Sequence, residues 1–332
     1  MKRIFGFLGI IALILLLSAV VMVIVGYTRP LGPTLNLVTR SQPALILPAA
    51  NQVAAQPKKT CGNTGVMRLV VIGRASPMDI NQYGADAVRL VIINFDAPSA
   101  AVLALPIELW VNSPVLVDQG IEQTQLNLVY QQVWETAHGQ PDKVRTQKAT
   151  EALAQTIYDN FDFISDHYVT VEDAAYIEFI DEVGGVDVTL PEEVDGTSEG
   201  YGVYPAGLNH LDGLRTLNLT RLLHPSGQPE PDWWGSLARQ DLVLHGMLAT
   251  TLKPANLTNL PDLVKALRKA ITTDLSVDQA MDLACMLQTV GGTTAQETVG
   301  PPPHLMTIDA EGRMIPDVEA IKTWLAQMAG GN

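Results

Sequence analysis

The residues best suited to chemistry are two arginines, Arg221 and Arg239, which flank a loop rich in proline and glycine at residues 224–235. A guanidinium group is a planar fork of donors that fits phosphate oxygens and keeps its charge at any working pH. In an acidic chain, two such forks beside one loop are typical of an anion site. The alternative is that both arginines are surface salt-bridge partners, which the charge pattern alone favours.

A pair of tryptophans, Trp233 and Trp234, closes this loop. An aromatic ring can stack on the apolar face of a sugar, which makes Trp233 a candidate for substrate contact; packing of the loop is the alternative. Upstream, six leucines from Leu208 to Leu222 recur at spacings that predict a helix leading into an extended segment. That apolar frame would position Arg221.

The rest of the chain mixes strand-like and helix-like patterns, which predicts an α/β fold with a sheet flanked by helices. Apolar runs predict strands at 67–72, 88–95, 101–106, 167–171, 186–190 and 306–308. Apolar residues at helical spacing predict helices at 126–137, 149–158, 173–183, 239–252, 260–271, 277–287 and 318–328. The predicted domain spans residues 66–328.

Residues 4–26 form an uncharged and almost entirely apolar run. As a helix it spans a hydrocarbon core of roughly 30 Å. Lys2 and Arg3 precede the run and Arg29 follows it, so the N-terminus is expected in the cytoplasm. A cleaved signal peptide is the alternative, but the run is longer than a usual signal and no small-x-small site follows directly. We therefore expect an uncleaved single-pass anchor in the cell membrane at 1–27 and a Pro-, Gln- and Ala-rich extracytoplasmic tether at 28–65.

The composition opposes several classes of function. With 21 lysines and arginines against 35 acidic residues, the net charge of −14 disfavours nucleic acid as a partner. No GxxxxGK[ST] or GxGxxG nucleotide loop occurs, and the histidines lack zinc spacing. Cys61 and Cys285 form one disulfide if the domain is exported, or remain buried thiols; the apolar, helix-like surroundings of Cys285 favour the thiol.

Several motifs in a fixed order carry a family pattern. They are the strand end VVIG, an aspartate ahead of the strand VRLVIINF, the tripeptide ALP, and the segments FIDEVGGVDVTLP, GLNHLDGLRTLNLTR, DWWGSLARQ and TTDLSVDQAMDLA. Together they resemble the LytR-CpsA-Psr family of bacterial cell-envelope proteins over residues 66–287. FIDEVGGVDVTLP and GLNHLDGLRTLNLTR are the most specific of these segments.

The resemblance implies a membrane-anchored protein outside the cell, with a central mixed sheet flanked by helices on both sides. A long apolar pocket would hold the tail of a polyprenyl diphosphate, and arginines with Mg²⁺ would bind its head. The reaction would transfer a glycopolymer phosphate from this lipid to a sugar hydroxyl of the cell wall. Such phosphoryl transfer depends on positioning and on neutralising the transferred charge.

The resemblance also assigns site residues. Asp86 matches the aspartate of the family's Arg-Ser-Asp-Thr segment and would be a Mg²⁺ ligand or proton acceptor. Arg221 and His224 match the Arg-x-Arg-His segment. Arg239 and Gln240 match an Arg-Gln pair that begins the next helix, where free N–H groups would also favour an anion. Asp86, Arg221 and Arg239 are the predicted catalytic residues; His224 and Gln240 are predicted to bind substrate.

Five charged positions of the family pattern are replaced: arginines by Gly84, Ile107, Leu223 and Ser236, and an aspartate by Ala75. Each lost charge-assisted hydrogen bond would cost about 1.5–3 kcal/mol, and several would lower the rate by orders of magnitude. Arg74 is a candidate substitute for substrate binding. Arg89 is another if it turns inward, but strand alternation puts it opposite Leu90 and favours a surface position.

Two hypotheses remain open. The first is an active glycopolymer phosphotransferase, for which Asp86, Arg221 and Arg239 should meet at the mouth of an apolar tunnel. The second is a catalytically degenerate relative that binds a lipid-linked or wall component without turnover, which the replaced positions favour. A DNA-binding regulator is a third class, which the anchor and the net charge of −14 oppose.

Overall fold

The computed structural model describes residues 61–75, 84–228, 230–251, 271–290 and 300–329. The predicted anchor, residues 28–60 of the predicted tether and residues 260–270 of one predicted helix lie outside these ranges; Ile271, the predicted end of that helix, begins a strand instead. Within the described ranges, no helix combines the length and the apolar character needed to cross a membrane.

The described elements follow the predicted alternation of strands and helices. The strands are β1 Val66–Arg74, β2 Ala85–Asn94, β3 Ser99–Leu105, β4 Trp110–Asn112, β5 Gln123–Gln125, β6 His167–Glu172, β7 Val186–Leu190, β8 Val194–Asp195, β9 Val203–Tyr204, β10 Gly207–Leu211, β11 Ile271–Thr273, β12 Met306–Ile308 and β13 Met314–Pro316. The helices are α1 Leu126–Thr136, α2 Asp142–Phe161, α3 Asp173–Glu182, α4 Gly213–Arg221, α5 Trp233–Thr251, α6 Val277–Val290 and α7 Val318–Met328.

Five strands form the central sheet, in the order β11-β6-β1-β2-β3. Strand β1 is parallel to β6, whereas the pairs β1-β2, β2-β3 and β6-β11 are antiparallel, so the sheet is mixed as predicted. A separate ribbon of β7 and β10 packs with α3, α4 and α5 in an apolar cluster of its own. Helix α5 lies so close to β7 that a Cβ atom on Gly246 would come within 2.5 Å of Asp187 O.

Helices cover both faces of the central sheet. Val70 and Ile72 of β1 enter a core built with α1, α2 and α7. Leu69 and Val71 point to the opposite face and enter a core that includes α6. Because both faces are buried, the central strands carry continuous apolar runs rather than alternating ones. The predicted α/β arrangement is confirmed for the described residues.

The leucine-rich segment folds in the opposite order from the prediction: strand β10 comes first and helix α4 follows. Asp212 caps that helix by accepting a hydrogen bond from Arg215 N at 2.8 Å. Leu208 and Leu214 are 71% and 56% exposed, so they do not belong to a buried face. The strand forms because its backbone pairs with β7, a distant partner that local leucine spacing does not reveal.

Cys61 and Cys285 form a disulfide with Cα atoms 5.4 Å apart, so the buried-thiol interpretation is wrong. Cys61 precedes β1, Cys285 lies within α6, and both contact the apolar cluster on the same face of the sheet. Packing of α6 on that face joins two residues that are 224 positions apart. Cys285 itself is only partly buried, and the apolar pattern of its helix contained no information about the partner.

Candidate active site

Arg221 binds two carboxylates that come from different elements. Its Nε donates to Asp86 Oδ2 at 3.0 Å, and its Nη2 donates to the same oxygen and to Asp173 Oδ2 at 2.8 Å. Asp86 lies at the start of β2, Asp173 in the first turn of α3 and Arg221 in the last turn of α4. The helix ends suit these charges, since the helix dipole favours an anion at the N-terminus and a cation at the C-terminus.

The Arg221 cluster is largely buried, with 10%, 21% and 8% of the Arg221, Asp86 and Asp173 side chains exposed. Burial lowers the pKa of Arg221, but the charges of Asp86 and Asp173 outweigh it and keep the pKa above its ordinary value. Both carboxylates accept from the same guanidinium, so charge-assisted hydrogen bonds join β2, α3 and α4 at this point.

Two cavities meet at this cluster. We call them the polar cavity, of about 670 Å³, and the apolar cavity, of about 140 Å³. Six residues line both: Asp86, Ala87, Arg89, Thr220, Arg221 and Gln240. The apolar cavity is smaller than the roughly 300 Å³ of a typical ligand pocket, so in this conformation it holds only part of a long prenyl tail. An ionic head and an apolar tail of one molecule would meet at Arg221.

The apolar cavity is lined by residues of the central sheet and of helices α3, α4 and α5. They include Val71, Ile72, Val102, Val171, Tyr176, Leu217, Val243, Leu244 and Met247. Burial raises the pKa of the Tyr176 hydroxyl far above its ordinary value, so this group stays protonated. The cavity thus contributes contact area and no charge beyond that of the polar residues at its end.

Arg89 turns inward, and the expected surface position is wrong. Its side chain is 5% exposed and lines both cavities. Its Nη2 donates to Gln240 Oε1, and Gln240 Nε2 donates to Thr220 O at 3.1 Å. Alternation along β2 does place Arg89 and Leu90 on opposite faces, but helices cover both faces, so neither face is solvent-exposed.

Arg74 ends β1 beside Glu172, its register partner in the parallel strand β6. Its Nη2 lies 3.0 Å from Glu172 Oε1, and the side chain is buried at the rim of the apolar cavity. Arg74, the candidate substitute for the missing cations, is therefore already paired with a carboxylate of the protein. Ala75, the next residue, is also buried.

Arg239 does not join the cluster of Asp86 and Arg221, and it lines neither cavity. Helix α5 begins at Trp233, six residues before the predicted start, and Asp232 caps it by accepting from Gly235 N at 3.0 Å. Arg239 Nη1 donates to Asp232 Oδ2 at 2.7 Å, and its Nη2 donates to Leu222 O. The guanidinium thus holds the ends of the 222–232 loop together, and the predicted anion position at the helix start already holds the Asp232 carboxylate.

The other predicted substrate-binding residues, His224 and Trp233, line the polar cavity. His224 Nδ1 lies 2.9 Å from Glu199 Oε1, which also accepts from His224 N at 2.6 Å. Trp233 is the first residue of α5 and packs partly against the main core. Both side chains are placed where they can contact a ligand in the polar cavity.

Glu108 is a site residue for which the sequence assigned no role. It lines the polar cavity directly after Ile107, and burial raises the pKa of its carboxyl from 4.5 to about 7, against smaller lowering effects of a backbone hydrogen bond and of His224. A carboxyl with such a pKa exchanges its proton near neutral pH, which suits general acid–base chemistry. The sequence feature that could have identified Glu108 is its position just after a buried strand, next to Ile107, which replaces an arginine of the family pattern.

The replaced arginine positions converge in space. Gly84, Ile107, Leu223 and Ser236 all line the polar cavity. At Gly84 a Cβ atom would meet only ordinary contacts, with Asn127 O at 3.4 Å, so the backbone leaves room for a side chain. The wall of the polar cavity therefore lacks cations at the places where the resemblance predicts them.

Asp86, the predicted Mg²⁺ ligand, lies beside Asp173, and both carboxylates accept hydrogen bonds from Arg221. Among the described residues, no group of three or more His, Cys, Asp or Glu side chains is arranged to hold a metal ion. Mg²⁺ commonly takes only one or two carboxylates and completes its shell with water and substrate phosphates. The carboxylates of Asp86 and Asp173, which meet at Arg221, fit that mode of binding.

The amino-acid sequence is similar to those of known proteins. The model of the LytR_cpsA_psr family matches residues 55–304. A Bacillus cereus protein, the polyisoprenyl-teichoic acid–peptidoglycan teichoic acid transferase TagU, is 28% identical over 148 residues, which are 44% of this chain and 47% of the relative. The cell wall biosynthesis protein LcpA of Corynebacterium glutamicum is 24% identical over 245 residues, 70% of this chain and 45% of the relative.

Solved structures share the fold. The crystal structure of Bacillus subtilis TagV superposes with a TM-score of 0.58 and 18% identity, covering 81% of this chain and 99% of that one. The chain spans about half the length of the relatives it matches in sequence, at 47% and 45%. At 18% identity, this structural likeness concerns the fold alone.

Proposed function

Because the chain belongs to the LytR-CpsA-Psr family, we propose that it acts in cell-envelope assembly, transferring a glycopolymer phosphate from a polyprenyl diphosphate to a sugar hydroxyl of the cell wall. The names of the Bacillus cereus and Corynebacterium glutamicum relatives, a teichoic acid transferase and a cell wall biosynthesis protein, support this direction. The substrate proposed here joins an apolar tail to an anionic head.

The observation that carries the proposal is the wall shared by the two cavities. Asp86, Arg221 and Gln240 line both the apolar cavity and the polar cavity. A prenyl chain bound in the apolar cavity would bring its diphosphate to this wall, and the glycopolymer and its acceptor would occupy the polar cavity. His224 and Trp233 would contact the sugars there.

In the proposed reaction, the acceptor hydroxyl oxygen attacks the phosphorus atom that carries the glycopolymer. A P–O bond to the acceptor forms and the bond to the bridging oxygen breaks, so polyprenyl monophosphate leaves with the electron pair. The hydroxyl proton passes to a base, for which we propose the carboxylate of Glu108. Arg221 holds Asp86 in place and donates toward the phosphate oxygens, where its charge stabilises the developing negative charge.

Glu108→Gln tests the proton acceptor. We expect transfer by the native enzyme to rise with pH through about 7, because only the ionised Glu108 accepts a proton. The amide should lower the rate by roughly 10²-fold or more and remove this rise. Release of polyprenyl monophosphate, measured from pH 5 to 9, provides the readout, and Glu122→Gln on the surface is the matched control. An unchanged pH profile in Glu108→Gln would exclude this role.

Stability gives a second readout of the same carboxyl. A raised pKa means that the folded state holds the proton more tightly than the unfolded state, so stability falls as pH rises from 4.5 through about 7. The full fall is about 3 kcal/mol for a shift of this size. Urea denaturation should show this fall in the native chain and its absence in Glu108→Gln.

Mg²⁺ is part of the proposal. Asp86 and Asp173 would hold the ion, which would neutralise charge on the diphosphate when bound. Two positioning contacts come from the chain itself. Arg221 orients both carboxylates, and Gln240 bridges Arg89 and the α4 backbone.

The location is proposed from the sequence and supported by the disulfide. Residues 4–26 would anchor the chain in the cell membrane, with the N-terminus in the cytoplasm and residues 66–328 outside. The Cys61–Cys285 bond supports this orientation, since disulfides persist in oxidising compartments. An extracytoplasmic domain would meet its wall acceptor directly.

A second candidate function is binding of the same lipid without turnover. Its specific support is that all four replaced arginine positions line the polar cavity. Transfer needs those cations more than binding does, because charge develops on the phosphate oxygens only in the transition state.

One experiment separates the two functions. The full-length chain in detergent is mixed with a polyprenyl-diphosphate-linked glycopolymer and cell-wall glycan, with MgCl₂ or with EDTA. Transfer predicts Mg²⁺-dependent release of polyprenyl monophosphate and labelling of the glycan. Tight binding of the lipid without release of monophosphate would favour the binding function. If the chain neither binds the lipid nor releases polyprenyl monophosphate, both functions are refuted.

A further inference from the structure

Arg89 is the feature that the family pattern does not explain. It lies in the middle of β2, three residues after Asp86, on the sheet face that α5 covers. Its side chain is 5% exposed and belongs to the wall shared by the polar and apolar cavities. A buried guanidinium at the boundary between an apolar and a polar cavity is costly unless it meets an anion.

Among the described residues, the hydrogen-bond partners of Arg89 are neutral. Nη2 donates to Gln240 Oε1, Nη1 donates to Val88 O at 3.3 Å, and Nε has no hydrogen-bond partner among the described residues. A guanidinium has five N–H donors, so most of this fork remains available. Burial lowers the pKa of Arg89 to about 10, and the charge of Asp241 opposes only part of that effect.

The other buried arginines differ from Arg89 in this respect. Arg221 pairs with Asp86 and Asp173, Arg74 with Glu172, and Arg239 with Asp232. Within the part of the chain that the structure describes, no carboxylate forms a salt bridge with Arg89. Of these four buried cations, Arg89 is therefore the one whose charge is left for a ligand.

We infer that Arg89 binds the diphosphate of the lipid substrate at the junction of the two cavities, in place of arginines that the family pattern has around the polar cavity. The inference rests on the proposed function and adds the residue that selects an ionic head at the end of the prenyl tail. Arg89 would keep its bond to Gln240 and direct Nε and the remaining N–H groups toward phosphate oxygens. Gln240, held by Thr220 O, would fix the orientation of the fork.

Three ligands separate the head from the tail: farnesyl diphosphate, inorganic diphosphate and farnesol. Their affinities for the full-length chain are measured by calorimetry. For Arg89→Met, which keeps the side-chain volume and removes the charge, we expect farnesyl diphosphate to bind at least about tenfold more weakly, the loss of one charge-assisted contact. The affinity of Arg89→Lys for farnesyl diphosphate should lie between those of the native chain and of Arg89→Met, since lysine keeps the charge without the planar fork. Farnesol should bind both proteins equally.

Stability distinguishes ligand binding from a structural role. Because the methionine removes a buried charge without a counter-ion, the Tm of Arg89→Met should equal or exceed that of the native chain. Arg68→Met, on the neighbouring strand β1 and outside both cavities, is the matched control and should change no affinity.

The outcomes are distinct. If the native chain binds farnesyl diphosphate and Arg89→Met binds it equally well, the role of Arg89 is refuted and the proposed function stands. An equal loss of farnesol and farnesyl diphosphate would show a structural role and also refute it. If only inorganic diphosphate depends on Arg89, the site serves a free anion rather than a lipid head. A native chain that binds none of the three refutes the proposed function together with the inference.

Discussion

Arg221→Ala is expected to abolish the proposed transfer, with a loss of at least about 10³-fold, because it removes the cation that orients Asp86 and that would face the phosphate. The same change leaves Asp86 and Asp173 close together without the guanidinium that both of them bind. Removing one partner of a buried ion pair costs about 3–5 kcal/mol, so folding should also weaken. Activity and stability must therefore be measured on the same samples.

Two variants separate these effects. Arg221→Lys keeps a positive charge between the carboxylates and should recover most of the stability, but its ammonium cannot reproduce the fork, so transfer should stay low. Arg215→Ala, an exposed arginine of the same helix α4, is the control and should leave transfer unchanged. Urea denaturation and monophosphate release are the two measurements. Transfer by Arg221→Ala within tenfold of the native rate would remove Arg221 from the mechanism.

The second large effect concerns the disulfide. Cys285→Ser should lower the free energy of unfolding by about 3–5 kcal/mol, because the bond closes a loop of more than two hundred residues and restricts the unfolded chain. Reduction of the native protein with dithiothreitol should give the same loss. Neither cysteine lines either cavity, so lipid binding should persist wherever the variant is folded.

The double variant Cys61→Ser with Cys285→Ser is the control for the thiols themselves. It should match the single variant, and dithiothreitol should not change its stability further. Thiol titration of the unreduced native protein under denaturing conditions should find no reactive cysteine. Two titratable thiols, or a stability that reduction leaves unchanged, would contradict the expected contribution of the bond.

Local pattern was sufficient for most elements of the fold. Strand β7 at Val186–Leu190 was predicted to the residue, and α7 at Val318–Met328 likewise, because each has a clear apolar period and clear end signals. Helix α2 begins at Asp142, earlier than predicted, since its first turns are polar and carry no apolar period. Helix α5 was predicted to start too late because Trp233 and Gly235 are weak helix formers, and the capping role of Asp232 outweighs that weakness.

The candidate site was harder to predict because its contacts are long-range. The motif segments that matched the family identified Asp86 and Arg221, and the structure brings these two together across 135 positions. Arg239 came from the same motifs, yet its guanidinium turns to Asp232 and the loop backbone. Which way a long side chain turns depends on the elements around it, and sequence spacing does not record that.

By itself the sequence determined the family, the mixed α/β architecture and the acidic charge, because apolar periodicity and motif order are local properties of a chain. Only the tertiary structure decided that Arg89 is buried, that Cys61 finds Cys285, and that the replaced arginine positions line one cavity. These facts depend on which elements pack together over 100 or more positions. Burial then determines which charges need a partner, because a guanidinium buried under α5 is costly unless it contacts an anion of the protein or of a ligand.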